Sequence, residues 1–104
     1  MDKVFAALAN ESRRALLDAL RKRSGQTLTE LCSILDMTRQ AASKHLAILE
    51  EAELVVAIWE GREKLHYLNP VPIRMISERW IKKFEEGRLA ALSALKTALE
   101  EQKE

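Results

Sequence analysis

The segment TLTELCSILDMTRQAASKHLAIL, residues 27–49, decides the fold because it contains two helix starts separated by a short turn. Thr27 and Glu30 have the spacing of a capping box, which predicts the start of a first, short helix. The apolar residues that follow share one helical face: Leu28, Leu31, Ile34 and Leu35. Thr38 is typical of a second N-cap. The segment therefore predicts two consecutive helices, the first ending near Asp36.

The second of these helices, residues 39 to about 52, is predicted to have two contrasting faces. Ala42, Leu46 and Leu49 recur at spacings of four and three, which places them on the buried side. The opposite face carries side chains that all form hydrogen bonds: Arg39, Gln40, Ser43 and Lys44. Arginine can bind guanine and glutamine can bind adenine through paired hydrogen bonds. This face is our candidate for reading the bases of duplex DNA.

A β-hairpin is predicted after the second helix. Residues 54–59, LVVAIW, change to the composition of a strand, and residues 64–68, KLHYL, can pair with them. Gly61 followed by a residue other than glycine suits a two-residue hairpin loop. Arg62 and Lys64 then lie near the tip, where we expect them to hold the DNA backbone or the minor groove.

The chain before residue 27 predicts two further helices. Residues 2–8 place Val4, Phe5 and Leu8 on one face. Asn10 is a good N-cap for a helix of residues 11 to about 23, whose leucines at 16, 17 and 20 point inward. The arginines at 13, 14 and 21 are expected to lie largely in water.

A long final helix is predicted from Pro72 to about residue 100, because proline is suited to a first helical turn. Its apolar stripe comprises Ile73, Ile76, Trp80, Phe84, Ala91, Leu92, Leu95 and Leu99. Such a stripe is longer than a four-helix core can cover, so it indicates a partner subunit. Gly87 is either a mild break in this helix or a point of close helix approach.

The order of short helix, turn, polar helix and hairpin is that of a winged helix-turn-helix, in which the second helix enters the major groove. We therefore predict a mainly α fold with a small β-hairpin wing and about five helices. Residues 1–104 are expected to form a single DNA-binding domain, with residues 72–100 as the long C-terminal dimerisation helix.

Three stretches together resemble the ArsR-type regulators: AALANESRRALL at residues 6–17, TLTELCSILDMTRQAASKHLAILEEAELV at 27–55 and GREKLHYLNP at 61–70. The resemblance spans about nine-tenths of the chain. It implies a winged-helix repressor that is dimeric through its first and last helices. The implied interface comprises Val4, Phe5, Leu8, Ile76, Trp80, Phe84, Leu92, Leu95 and Leu99. The expected DNA-binding set comprises Thr38, Arg39, Gln40, Ser43, Lys44, His45, Arg62 and Lys64.

The chain departs from this family at two places. Metal-sensing members carry two cysteines in the third helix, whereas ELCSILD at residues 30–36 has only Cys32, which we interpret as a core residue. The alternative metal site on the last helix needs histidines, and neither histidine nor cysteine follows His66. We therefore predict no metal site and no cofactor. The second departure is Glu53, where the family usually has a glycine.

The composition is that of a soluble protein, with 47% hydrophobic and 32% charged residues. No apolar stretch is long enough to cross a bilayer and the N-terminus does not resemble a secretory signal, so we expect a cytoplasmic protein without a membrane partner. A net charge of +1 does not by itself indicate nucleic acid. No residue pattern suggests a nucleophile with its base, so we expect no enzymatic activity.

Two alternatives to the DNA-binding dimer remain open at this point. The near-neutral charge would suit a winged helix used for protein–protein contact, and an organic inducer could bind between subunits near Trp80. Trp59 and Trp80 are more typical of packing than of such a pocket. His45 is predicted to have a structural or phosphate-contacting role rather than to read bases. His66 is predicted to be a solvated cross-strand neighbour.

Overall fold

The computed structural model describes residues 1–102, apart from the side chains of residues 82–86. Within that range no helix combines the length and the apolar character needed to cross a membrane. The chain divides into two compact units, Met1–Pro72 and the part that begins at Ile73. Phe84, predicted to lie in a dimer interface, has its side chain outside the described residues.

The first unit is a helical core with a β-hairpin, as the sequence predicted. Its elements are α1 (Asp2–Leu8), α2 (Glu11–Lys22), α3 (Leu28–Leu35), α4 (Arg39–Glu51), β1 (Val55–Glu60) and β2 (Glu63–Leu68). Three predicted caps are confirmed. Asn10 accepts from the Arg13 amide, Thr27 and Glu30 form the capping box, and Thr38 accepts from the Ala41 amide. Helices α2, α3 and α4 therefore each begin where a cap side chain satisfies a free backbone amide.

The core lies where α2, α3, α4 and the base of the hairpin meet, and its largest fully buried apolar residues are Leu16, Leu20, Leu31, Leu49 and Leu54. The buried stripe of α3 is narrower than predicted. Only Leu31 is fully buried, Ile34 is 59% exposed and Cys32 is half-buried rather than part of the core. A helix of eight residues whose main contacts are with α2, α4 and β2 leaves its remaining face in solvent.

The end of α4 explains how the chain accommodates Glu53. The Glu53 amide donates to the Glu50 carbonyl at 3.0 Å and the Leu54 amide donates to the Leu49 carbonyl at 2.9 Å, which together form a Schellman motif. This motif needs a left-handed residue, usually glycine, at its centre. Glu53 adopts that conformation with φ 62°. The helix is therefore capped in the ordinary way, with a glutamate in the position that favours glycine.

The hairpin is antiparallel and pairs Glu60 with Glu63, which leaves the predicted two-residue loop, Gly61-Arg62. The prediction of a solvated His66 was wrong. His66 is 3% exposed, its amide donates to the Gln26 carbonyl at 2.9 Å, and its Nδ1 lies 2.8 Å from the same oxygen. β2 thus pairs with the connection between α2 and α3 at this bridge, so the strand face that carries His66 is turned into the core.

After the wing, the predicted single helix is observed as three consecutive helical segments. These are α5 (Val71–Ile76), a π-helical turn (Ser77–Ile81) and α6 (Lys82–Gln102). Pro72 lies in the first turn, where a helix does not need its amide, as predicted. Gly87 does not break α6, and among the described residues no atom beyond the adjacent helix backbone lies within 4 Å of a Cβ built on it. Residues 1–102 contain six α-helices rather than the expected five, because the π-helical turn divides the last one.

Candidate nucleic-acid interface

The outer face of α4 presents most of the predicted DNA-contacting side chains together. Thr38, Gln40, Ser43 and Lys44 are all exposed. With Ala41, His45 and Ala47 they line an open groove of about 720 Å³. A helix with its side chains is about 10–12 Å across, and the major groove of B-DNA is about 12 Å wide. The face therefore has the dimensions and the hydrogen-bonding groups to enter that groove.

Arg39 does not line this groove, and only Ser43 of the group borders the cleft in which Arg39 lies. Nη1 of Arg39 donates to the Thr29 hydroxyl on α3 at 2.7 Å. Both residues border a second cleft, of about 620 Å³, between α3, α4 and the hairpin. The arginine that the sequence grouped with the base-reading set thus lies on the side of α4 that faces the wing.

The wing cleft has charges of both signs. Its charged lining residues are Glu30, Arg39, Glu50, Arg62, Glu63 and Lys64. Lys64 Nζ lies 3.4 Å from a Glu50 carboxylate oxygen, so this cation links the wing to α4. Arg62 is exposed at the hairpin loop. Of the two predicted wing cations, Arg62 is therefore the one more open to solvent.

Trp59 also lines the wing cleft, and the interpretation of its ring as packing was wrong because 67% of the residue is exposed. It pairs across the hairpin with Lys64. Sequence reasoning did not include Trp59 among the candidate contacts. The available signal was its position two residues before Gly61, near the predicted tip.

Arg13 is the second residue that sequence reasoning missed. It was expected to lie in water, but it is half-buried and its Nε donates to the Ala7 carbonyl at 2.8 Å. Its Nη2 donates to the Ala6 carbonyl at 3.1 Å, and its Nη1 lies 3.4 Å from Nδ1 of His45. The last turn of α1 has no basic residue of its own, so its free carbonyls attract a cation from α2. Arg13 thereby connects α1 with α4.

The residues predicted for the dimer interface differ in how exposed they are in the single chain. Val4 is 8% exposed and already packs in its own unit, which leaves it little surface for a partner. Phe5 is 44% exposed and Leu8 is half-buried. In the second unit Ile76 is half-buried, whereas the larger apolar residues are about half exposed: Trp80 47%, Leu92 51%, Leu95 55% and Leu99 51%.

Among residues 1–102, outside the side chains of 82–86, no three or more histidine, cysteine, aspartate or glutamate side chains are grouped to hold a metal ion. Cys32 has a free thiol. The polar and charged side chains that line the two clefts offer hydrogen bonding and ion pairing.

Comparison with known proteins places these features in context. A model for a helix-turn-helix domain matches residues 8–57. A relative from Bacillus subtilis (strain 168), the HTH-type transcriptional regulator YuzN, is 37% identical over 86 residues, covering 77% of this chain and 94% of the relative. The arsenical resistance operon repressor of Escherichia coli (strain K12) is 29% identical over 82 residues, covering 75% of this chain and 70% of the repressor.

The fold is also similar to a solved structure. An ArsR-like transcriptional regulator from Rhodococcus sp. RHA1 superposes with a TM-score of 0.72 and 30% identity. The match covers 95% of this chain and 89% of that protein. The similarity therefore extends across the helix-turn-helix, the wing and the helices that follow.

Proposed function

This chain belongs to the ArsR family of winged helix-turn-helix transcriptional regulators, and we propose that it represses transcription as a homodimer bound to a two-fold symmetric operator. It is a DNA-binding regulator and not an enzyme. The observation that carries the proposal is the outer face of α4, on which Gln40, Ser43 and Lys44 are exposed side by side. The proposal requires no cofactor, and it places the protein in the cytoplasm with the DNA it regulates.

The side chains divide into base-reading and backbone-binding groups in this proposal. Gln40 and Ser43 reach base edges, because they are uncharged and lie on the outer face. Lys44 binds a phosphate, and Thr38 brings the N-terminus of α4, with its free amides, to the backbone. These phosphate contacts fix the register in which Gln40 and Ser43 meet the bases.

The wing binds the DNA backbone next to the recognition helix. Arg39, held by Thr29, is directed to the wing cleft and is assigned to a phosphate rather than to guanine. Arg62 extends from the hairpin loop toward the same strand or the adjacent minor groove. Lys64 is already neutralised by Glu50, so its main effect is to hold the wing against α4.

A second copy of the chain covers the apolar residues that the monomer leaves exposed. The proposed interface uses α1 and the final helix, with residues 72–100 as the dimerisation helix of one DNA-binding domain. Stable dimers bury about 1,200–2,000 Å² in total, which the exposed leucines of α6 help to supply. Two-fold symmetry then predicts an inverted-repeat operator with half-sites one or two turns of about 10.5 base pairs apart.

The test is a titration of the purified protein with duplex DNA from upstream of its own gene and with a scrambled duplex, at several salt concentrations. Gln40→Ala is expected to weaken the free energy of binding to the operator by about 1–3 kcal/mol and to relax the preference for particular bases. Lys44→Ala is expected to weaken binding to both duplexes equally. The slope of log affinity against log salt concentration should become shallower by about 1.

Arg21→Ala is the matched control, because it removes an exposed cation of α2 that lies outside the proposed interface. Its operator affinity should stay close to that of the wild-type protein. Equal binding of the operator and scrambled duplexes by the wild-type protein would contradict the proposal and favour a winged helix that binds protein.

A further inference from the structure

The hydrogen bond between Arg13 and His45 determines which ring nitrogen of the histidine carries its proton. A guanidinium has five N–H donors and no acceptor, and it stays protonated in proteins. Nδ1 of His45, 3.4 Å from Nη1 of Arg13, must therefore accept. A neutral imidazole that accepts at Nδ1 carries its proton at Nε2. Arg13 thus makes His45 a hydrogen-bond donor through its other nitrogen.

Arg13 is itself held in place by the end of α1. Two of its nitrogens donate to the Ala7 and Ala6 carbonyls at 2.8 and 3.1 Å, which leaves Nη1 directed to the imidazole. Within the part of the chain that the structure describes, the His45 ring makes no second hydrogen bond. The ring is half-buried and also borders the open groove on the outer face of α4. Its Nε2 donor is therefore available to a ligand at this face.

We propose that His45 donates from Nε2 to a phosphodiester oxygen of the bound duplex, and that Arg13 is the positioning residue that fixes this tautomer. This inference rests on the proposed DNA-binding function. A phosphate is the expected acceptor because His45 lies about 100° around the helix from Lys44, on the flank of the reading face. A helix in the major groove meets the sugar–phosphate backbone at its flanks and the base edges at its centre.

The first experiment measures binding of the His45→Ala variant to the operator and scrambled duplexes. A hydrogen bond to a charged acceptor contributes about tenfold to affinity. We therefore expect His45→Ala to bind both duplexes about tenfold more weakly. The salt slope should not change, because a neutral donor displaces no counterion. His45→Gln should restore most of the affinity, since its amide can accept from Arg13 and donate to the phosphate.

The second experiment determines the tautomer by ¹⁵N NMR of the histidine ring in the DNA-free, full-length protein in mildly alkaline buffer. We expect only the Nε2–H form in the wild-type protein and a mixture that includes the Nδ1–H form in Arg13→Met, because the ring then loses the donor that keeps Nδ1 an acceptor. Arg14→Met is the matched control, because Arg14 also donates to a carbonyl at the end of α1, that of Leu8 at 2.8 Å, and forms no bond to His45. It should keep the wild-type tautomer.

Three results would overturn the inference while leaving the DNA-binding function intact. They are an Nδ1–H tautomer in the wild-type protein, unchanged affinity of His45→Ala, and a His45→Ala loss confined to the operator. Failure of the wild-type protein to prefer its operator would instead contradict the proposed function. If Arg13→Met does not fold, the wild-type tautomer and the His45→Ala titration still decide the question.

Discussion

At the scale of single residues, Glu53 carries an identifiable conformational cost. Its φ of 62° is a left-handed conformation, which costs a residue with a side chain about 1–2 kcal/mol and glycine much less. We expect Glu53→Gly to raise the free energy of unfolding by about 1 kcal/mol, measured by denaturant titration at fixed protein concentration. Ala47→Gly is the control within α4, because Ala47 is exposed in the helix interior and glycine there should lower stability by about 1 kcal/mol. A loss of stability in both variants would contradict this account.

Residues whose environment is local were predictable from the sequence, and those whose partners come from elsewhere in the chain were not. The caps at Asn10, Thr27 and Thr38 depend on amides three residues away and were predicted correctly. Arg13 is held by carbonyls six and seven residues away in the preceding helix and contacts a ring 32 residues away, and His66 contacts a carbonyl 40 residues away. Long side chains can satisfy distant backbone groups, and helical or strand periodicity does not record those contacts.

At the scale of elements, Gly87 is the residue whose role the sequence left open. Within the described residues no atom lies within 4 Å of a Cβ placed there, and α6 continues through it. We expect Gly87→Ala to raise the free energy of unfolding by up to about 1 kcal/mol, because alanine is the better helix former. Thermal unfolding combined with light scattering measures both stability and assembly. A lower stability together with a weaker dimer would show that the partner subunit approaches closely at this glycine.

The elements themselves differ in how far the sequence predicts them. The helix-turn-helix and the hairpin are marked in the sequence by N-cap residues, a change to strand composition and a glycine loop. Their bounds fall within one or two residues of those predicted. The π-helical turn at Ser77–Ile81 has no such signal, because a shift in helical hydrogen bonding changes neither the residue types nor their approximate spacing. The exposure of Gln40, Ser43 and Lys44 on one face of α4 was predicted, whereas the direction of Arg39 was not, because it depends on Thr29 in the neighbouring helix.

At the scale of the whole molecule, the exposed leucines of α6 make assembly the property most open to test. Leu92, Leu95 and Leu99 recur at spacings of three and four and are each more than half exposed, so a charge among them should disrupt a partner interface. We expect Leu95→Glu to yield a monomer by light scattering. Its operator affinity should fall at least about a hundredfold, because two half-sites are no longer bound by one linked pair.

The control for this variant is Thr97→Glu, which adds the same charge about 170° around the helix from the leucine stripe. It should remain dimeric and bind the operator as the wild-type protein does. A Leu95→Glu protein that is still dimeric would place the interface outside this stripe. A monomer that keeps full operator affinity would show that one recognition helix and one wing suffice, and the requirement for two-fold symmetry in the operator would then be wrong.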